Sequence, residues 1–144
     1  MQKVKRVESE LEKEQAFDIR RKVFVDEQQV PLHLEMDEYD DDAVHFVGYN
    51  LEQPIAAGRI REIEQGIGKI ERVSVLSEFR GQHVGVLMME AMEQYARSAG
   101  MAVLKLNSQS YAIPFYEKLN YTVTSPEFLD AGIPHRSMEK NLHA

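Results

Sequence analysis

The stretch best suited to chemistry runs from Glu71 to Glu90 and contains a turn with an arginine and two glycines. Arg80 carries a fixed positive charge, and Gly81 and Gly85 lack the side chains that would keep a ligand away from the backbone. If a helix begins directly after this turn, its first N–H groups have no partner within the helix and lie at the positive end of its dipole. A phosphate or pyrophosphate is the expected ligand of such a turn. The alternative is an ordinary strand-to-helix connection whose glycines only make the turn.

The residues on either side of this turn predict the strand and the helix that such a site requires. Val73 and Val75 are β-branched and alternate with polar residues, which favours a strand over Lys69–Leu76. After the turn, apolar residues recur three and four positions apart, which is typical of an amphipathic helix. The residues of this apolar stripe are Val84, Leu87, Met88, Ala91, Met92 and Tyr95.

The composition of the chain excludes several classes of function. Its 144 residues fit one domain, which we expect to span residues 1–144. The formal net charge of −7 argues against a nucleic-acid-binding surface, and the absence of cysteine excludes disulfides, thiolate metal sites and thiol nucleophiles. The first ten residues lack the apolar core of a signal peptide, and no apolar run approaches transmembrane length. We therefore expect a soluble cytoplasmic protein that binds neither nucleic acid nor a membrane.

The rest of the chain predicts a mixed sheet with helices around it. Ser9 and Glu12 form a capping box for a helix over Glu10–Val25. Because a long helix separates the strand over Lys69–Leu76 from an apolar strand over Met101–Leu106, these two strands should be parallel. The other predicted elements are an edge strand at residues 3–7, a hairpin of Val44–Asn50 and Ile55–Ile63, a helix over Tyr111–Leu119, and strands over Tyr121–Thr124 and Ser137–Leu142.

Two groups of charged residues have an uncertain role at this level. Arg20 and Arg21 lie within the first predicted helix, and we expect both to be solvated. The run Glu35–Asp42 contains six acidic residues out of eight, and we favour a solvated loop. It could instead line the mouth of a site for a cationic substrate. A calcium-binding loop is a further alternative, but the glycine of such a loop is missing. No metal site is predicted.

The order of elements and motifs resembles the GCN5-related N-acetyltransferase (GNAT) superfamily from roughly Val4 to Asn141. Three pieces carry the resemblance: Arg72–Val75 followed by the turn Arg80–Gly85, Asn107 after the next strand, and the segment Pro114–Tyr121. Within the superfamily, Val23–Gln28, the acidic run and Phe128–His135 are similar to the bacterial ElaA/YjcF-type branch.

The resemblance implies a fold of the α/β class, of mixed α+β type, known as the GNAT acyl-CoA N-acyltransferase fold. Its centre is a mixed, mostly antiparallel sheet of six to seven strands, with helices on both faces and a splayed parallel strand pair. The superfamily often forms dimers, and the sequence leaves the oligomeric state of this chain open.

The resemblance also implies acetyl-coenzyme A as co-substrate and an amine of a small molecule or peptide as acceptor. The turn would receive the pyrophosphate, while the main chain of Val73 and Val75 would pair with the pantetheine arm. An N–H group near these valines could polarise the thioester carbonyl. Together these assignments predict a donor site of Val73, Ser74, Val75, Arg80, Gly81, Gln82, His83, Val84, Gly85, Val86, Asn107 and Tyr116.

The implied reaction is direct attack of a neutral amine on the thioester, without a covalent enzyme intermediate. Tyr116 is the expected general acid for the leaving thiolate, with Tyr111 as a weaker rival. Glu71 is a weak candidate for the general base, because alternation along a strand places it on the same face as Val73. The other candidate bases are His135, His45 and water. Arg72 could orient an acceptor carboxylate or simply pair with an acid.

Two departures from the family pattern keep other interpretations open. His83 stands where the family usually has a glycine, and it would crowd the pyrophosphate if its φ were positive. Asn120 replaces the usual glycine after the Phe-Tyr helix, which is a mild change. The alternatives are a non-catalytic acyl-CoA-binding sensor of the same fold and a plain interaction domain. A nucleoside-triphosphate enzyme is a weak alternative, because no lysine follows Gly85.

Overall fold

One mixed sheet forms the centre of the molecule in a computed structural model that describes residues 2–35 and 37–143. Met1, Met36 and Ala144 lie outside the described residues, so the predicted domain range and the acidic run are described without them. The strands are β1 (Gln2–Arg6), β2 (Val44–Asn50), β3 (Gln53–Glu64), β4 (Ile67–Val75), β5 (Val103–Gln109), β6 (Thr122–Val123), β7 (Phe128–Asp130) and β8 (Ile133–Asn141). Their order across the sheet is β1-β2-β3-β4-β5-β8-β6, and β7 pairs with β8.

Among these pairs only β4 and β5 are parallel, as the helix between them predicted. The remaining neighbours pair antiparallel, including the meander β2-β3-β4. This architecture confirms the predicted fold class. The sheet has eight described strands rather than six to seven, because the three-residue β7 adds a hairpin partner to β8.

Helices cover both faces of the sheet. The helices are α1 (Glu10–Arg20), α2 (Leu32–Glu35), α3 (Val84–Ser98) and α4 (Ile113–Lys118). The larger core lies beneath α3, which buries Met88, Met89 and Met92 against the sheet. A smaller core lies beneath α1, where Ala16 and Ile19 pack against Val47 of β2. No helix among the described residues is long and apolar enough to cross a bilayer.

The first predicted helix differs from the observed one at its C-terminal end. The α-helical part ends at Arg20, and the chain continues as a π-helix over Arg21–Glu27 rather than as α-helix to Val25. A π-helix has wider turns and is frequent at functional sites, so its side chains point in directions that a regular α-helix would not produce.

The predicted left-handed positions are confirmed at two helix ends. Gly100 follows α3 with a φ of 84°, and Asn120 follows α4 with a φ of 74°. Pro114 lies in the first turn of α4, where its missing N–H leaves no hydrogen bond unmade. These caps set the directions in which the chain enters β5 and β6.

Candidate active site

A cleft opens where the two parallel strands separate. Ile67–Ile70 of β4 pair with Val103–Leu106 of β5, and the pairing stops there. Beyond that point β5 continues against β8 while β4 continues against β3, so the two strands diverge. The resulting cleft has a volume of about 440 Å³ and extends from the turn before α3 to the face of the sheet beneath the π-helix.

A β-bulge shapes the wall of this cleft that β4 provides. Ala57 of β3 pairs with Ser74, and Arg59 pairs with Glu71, so β4 contains one extra residue over the same length. Arg72 occupies the bulge with a φ of 59°, a left-handed conformation that is uncommon for a residue other than glycine. Such bulges redirect side chains near functional sites.

The bulge overturns the predicted face of Glu71. The extra residue breaks the alternation of β4, so Glu71 and Val73 point to opposite faces of the sheet. Glu71 contacts Arg59 on the side of α1, whereas Val73 packs against the core beneath α3. The prediction that the two share a face is therefore wrong, because it assumed an unbroken strand.

The main chain of β4 beyond the bulge has one free edge. The N–H group of Leu76 donates to Ile55 of β3 over 2.9 Å, and Ser74 pairs with the same strand. Because successive backbone groups of a strand point in opposite directions, those of Val73 and Val75 point towards the cleft. The carbonyl of Val75 already accepts a hydrogen bond from Arg80 Nε over 2.9 Å.

The turn before α3 has the conformation of an anion site. Gly81 and His83 have φ values of 79° and 64°, and both are exposed together with Gln82. His83 is the N-cap of α3, and no described side chain caps that end of the helix. The N–H groups of Val84, Gly85 and Val86 therefore remain available to a ligand. The sequence predicted that His83 would crowd a pyrophosphate if its φ were positive. Its φ is positive, and the crowding itself stays a prediction.

The charge expected at this turn is already paired. Arg80 donates to both carboxylate oxygens of Glu27 in the π-helix, over 2.6 and 2.8 Å. These hydrogen bonds lower the pKa of the Glu27 carboxyl. An anion that binds at the turn must therefore compete with Glu27 for the guanidinium.

Tyr116 of α4 lines the cleft. Its ring packs edge-to-face on Phe115 at 4.9 Å and on Tyr121 at 6.0 Å between centroids. Tyr121 is fixed in turn by donating its hydroxyl to Glu93 over 2.8 Å. Burial raises the pKa of Tyr116, with a further contribution from Tyr111, so the hydroxyl keeps its proton at neutral pH.

Two further residues have the positions that the motifs predicted. Asn107 lies on β5 immediately after the last pair with β4, is exposed to the cleft, and accepts a hydrogen bond from Ser137 over 2.8 Å. Gly85 lies under the ring of Phe115, where a β-carbon would come within 3.0 Å of Phe115 Cζ. Its lack of a side chain lets α4 approach the first turn of α3.

Glu71 is surrounded by cations. Its carboxylate accepts from Arg59 and Arg61 over 3.0 and 2.7 Å, and Lys69 lies at 3.5 Å. Burial alone would raise the pKa of Glu71, but its three cationic partners outweigh it and lower the pKa. A carboxylate held in this way is a poor proton acceptor, so the geometry disfavours Glu71 as the general base.

The acidic run is not simply the solvated loop that the sequence favoured, because two of its carboxylates are internal, whereas Asp41 and Asp42 are exposed. Glu35 is 1% exposed and Asp40 is 6% exposed. Arg20 is fully buried and contacts Glu35 over 2.6 Å and Asp40 over 2.7 Å. Of the two helix arginines that the sequence assigned to solvent, only Arg21 is exposed, and it pairs with Asp18.

The same network continues into the wall of the cleft. Arg59, also fully buried, contacts Asp40 over 2.7 Å and Asp37 over 2.8 Å, and Asp37 contacts Arg72 over 3.1 Å. The signal in the sequence is Arg59 itself, which follows the apolar stretch Ile55–Gly58 of a predicted strand and, if buried, needs a carboxylate partner.

The two candidate histidines occupy different places. His45 is buried outside the cleft lining, where its Nε2 bonds the carbonyl of Asp40 over 2.8 Å, and burial lowers its pKa. His135 lines the cleft, pairs with Gln109 at the free end of β5, and bonds the carbonyl of Ile133 through Nδ1 over 2.7 Å. Only His135 is therefore positioned to meet a bound acceptor.

The sequence did not reveal that the π-helix bridges the cleft. Its residue Glu27 holds Arg80 beside β4, and the following Gln28 accepts a hydrogen bond from Gln109 of β5 over 2.8 Å. Phe24 of the same segment lines the cleft between these contacts. Contacts across 53 and 81 positions of the chain leave no local pattern in the sequence.

Comparison with known proteins agrees with this geometry. A family model described as the acetyltransferase (GNAT) domain matches residues 7–142. A Bacillus subtilis (strain 168) protein named uncharacterized N-acetyltransferase YjcF is 46% identical over 127 residues, which cover 88% of this chain and 90% of that protein. The solved structure of an acyl-CoA N-acyltransferase from Pseudomonas aeruginosa has a TM-score of 0.82 at 27% identity, covering 97% of this chain and 98% of that one. Escherichia coli ElaA has a TM-score of 0.85 at 23% identity, covering 98% and 100%.

Proposed function

The chain belongs to the GNAT acetyltransferase family and is an N-acetyltransferase, and we propose that it transfers the acetyl group of acetyl-coenzyme A directly to an amine. The observation that carries the proposal is the cleft between the diverging ends of β4 and β5, with an uncapped helix N-terminus at its mouth. One end of this cleft suits a phosphate, and its middle offers a free strand edge.

The donor would occupy the cleft along its length. Its pyrophosphate would accept hydrogen bonds from the N–H groups of Gly81–Val86, and Arg80 would add a charge if it leaves Glu27. The pantetheine amides would pair with the main chain of Val73 and Val75, whose backbone groups point into the cleft. Asn107 would add a side-chain hydrogen bond from the opposite wall.

The chemistry would be a single displacement. The nitrogen lone pair of a neutral amine attacks the thioester carbonyl carbon, and an N–H group near Val73–Val75 stabilises the developing oxyanion. The carbon–sulfur bond then breaks and the coenzyme leaves as a thiolate. The hydroxyl of Tyr116 donates a hydrogen bond to this sulfur. The new amide nitrogen loses a proton, and the sulfur carries that proton at the end of the reaction.

The acceptor would be an amine of a small molecule or a peptide, reached from the face of the sheet beneath the π-helix. The cleft on that side is lined by polar and charged groups as well as by Phe24. The cytoplasmic location stays a prediction from the sequence, and the oligomeric state stays open.

A thiol-release screen tests the proposal. Purified protein and acetyl-coenzyme A are incubated with small amines, amino acids, amino sugars and peptides, and calorimetry measures donor binding in parallel. We expect binding of the donor and acceptor-dependent release of free thiol. Donor binding without release from any acceptor would favour the acyl-CoA-binding sensor, and absence of both would overturn the proposal.

A further inference from the structure

The proposed function requires a group that removes a proton from the acceptor, because an amine is mostly an ammonium ion at neutral pH and its nitrogen then has no free lone pair. Glu71 is held by three cations, and His45 lies outside the cleft. The remaining groups on the acceptor side of the cleft that can take up a proton are His135 and the exposed Asp130.

The backbone fixes the orientation of His135 and the location of its proton. The carbonyl of Ile133 can only accept, so the nitrogen that bonds it over 2.7 Å, Nδ1, must carry the hydrogen. In the neutral ring, Nε2 therefore carries the lone pair. Phe128 stacks on the ring with centroids 6.0 Å apart and planes inclined by 21°, which keeps the imidazole in this orientation.

The free nitrogen is open to the cleft. His135 is 9% exposed and is part of the cleft lining. No described protein group forms a hydrogen bond with its Nε2. Among the described residues, the buried polar atoms that lack a partner do not include this nitrogen, so it is not fully buried. The exposed part of the side chain thus includes an unused proton acceptor, and the residue that carries it lines the cleft.

We propose that His135 Nε2 is the general base that deprotonates the acceptor, an inference that rests on the proposed function. The ammonium proton moves to Nε2, and the freed lone pair forms the nitrogen–carbon bond to the acetyl group. The carbon–sulfur bond breaks, and the second nitrogen proton ends on the departing thiolate. The imidazolium then returns its proton to solvent.

The charged groups that line the cleft around His135 are of both signs. Asp130 lies on β7, the hairpin strand next to His135, whereas Glu71, Arg72 and Lys69 lie on β4 in the opposite wall. The charge of Glu71 is offset by its cationic partners. Asp130 is therefore the carboxylate that attracts the acceptor ammonium to the side of the cleft where the base lies.

The substitution His135→Asn tests this assignment. The asparagine amide can still donate to Ile133, but it supplies no base. Benzylamine, a cation at neutral pH, and hydroxylamine, which is largely neutral, serve as probe acceptors. We expect the variant to lose about 100-fold in kcat/KM with benzylamine and less than about 10-fold with hydroxylamine, since only the first needs deprotonation. Equal losses with the two probes, or none, would overturn the inference.

Two further measurements separate this inference from the proposed function. Acetyl-coenzyme A should bind His135→Asn and the matched control His143→Asn, an exposed histidine near the C-terminus, as it binds the wild type. Nitrogen-15 NMR of the wild type should show the hydrogen of neutral His135 on Nδ1. Hydrogen on Nε2 would overturn the base assignment even if neither probe reacted, whereas a wild type that neither binds the donor nor releases thiol would overturn the proposed function.

Discussion

At the residue scale, the proposed reaction depends on the hydroxyl of Tyr116. Its ring is held between Phe115 and Tyr121, and burial raises its pKa, so it acts as a hydrogen-bond donor rather than as an anion. A donor directed at the sulfur stabilises the transition state more than the bound thioester, because negative charge develops only as the bond breaks.

We therefore expect Tyr116→Phe to lower kcat by about 10² to 10³, as removal of a single transition-state donor does in other enzymes. The dissociation constant of acetyl-coenzyme A should change less than about twofold, since the ring remains and only the hydroxyl is lost. Steady-state thiol release and calorimetry measure the two quantities. Tyr95→Phe is the matched control. Tyr95 belongs to α3, its ring packs on Phe46 of β2, and it does not line the cleft. Unchanged kcat in Tyr116→Phe would remove the assignment.

The sequence could predict the positions of candidate residues that depend on local rules, but not those that depend on distant partners. Gly81, Gly85 and Asn107 follow from turn and motif spacing, and each lies beside the cleft. The orientation of Glu71 could not be predicted, because the bulge at Arg72 arises from the register between β3 and β4.

At the element scale, the π-helix is the part of the structure that joins the two walls of the cleft. Glu27 contacts the turn after β4, and Gln28 contacts β5. The ion pair of Glu27 with Arg80 is about two-fifths exposed on both sides, so it contributes little to stability. Its main consequence is competition with any anion at the turn.

Replacing Glu27 by glutamine should strengthen donor binding. The substitution removes a carboxylate that competes with the pyrophosphate for Arg80, and an exposed pair of this kind corresponds to about a threefold to fivefold change in the dissociation constant. Calorimetry with coenzyme A at low salt measures the change, which should shrink as salt screens the charges. The control Glu14→Gln makes the same change of charge on the exposed part of α1, and it should have no effect. Weaker binding by Glu27→Gln would contradict the competition.

Element boundaries were predictable where the local signal is strong. The stripe after the turn predicted α3, and the apolar runs predicted β2, β3 and β5. The change from α-helix to π-helix at Arg21 was not predictable, because the contact of Glu27 with Arg80 joins distant parts of the chain. The short β7 was missed although its hairpin with β8 is local, because three residues are too few to show the alternation of a strand.

At the scale of the whole molecule, buried ion pairs connect four parts of the chain, which are α1, β3, β4 and the segment that precedes β2. Arg20 and Arg59 share Asp40, and Asp37 joins Arg59 to Arg72 in the wall of the cleft. The resemblance to the GNAT superfamily predicted helices on both faces of the sheet. The sequence could not predict this charged layer, because a run of acidic residues is equally compatible with solvent.

This layer should make the protein sensitive to acid. Burial alone would raise the pKa of Asp40, but its two arginines lower it, and burial lowers the pKa of His45. Both groups then bind protons more readily in the unfolded chain, so the free energy of unfolding falls as the pH decreases. The loss of stability should begin below about pH 6.5, where the histidine of the unfolded chain becomes charged. It should continue below about pH 4, where the carboxylates of the unfolded chain become protonated.

Urea unfolding between pH 4 and 8 measures this dependence. Asp40→Asn should lower the free energy of unfolding by about 1 to 3 kcal/mol at pH 7, because it removes the carboxylate that buried Arg20 and Arg59 share. Their pairs with Glu35, Asp37 and Glu71 remain. The substitution should also flatten the decline at the acid end of the range. Constant stability of the wild type from pH 8 to pH 4 would contradict the account.

Amide hydrogen exchange with and without acetyl-coenzyme A tests the central claim most directly, because it reports where along the chain the donor binds. The account predicts slower exchange in the segments Val73–Val75 and Gly81–Val86, which form the strand edge and the turn at the mouth of the cleft. Unchanged exchange in both segments, or protection confined to the groove beside α1 that Leu11, Leu32 and Pro54 line, would contradict it.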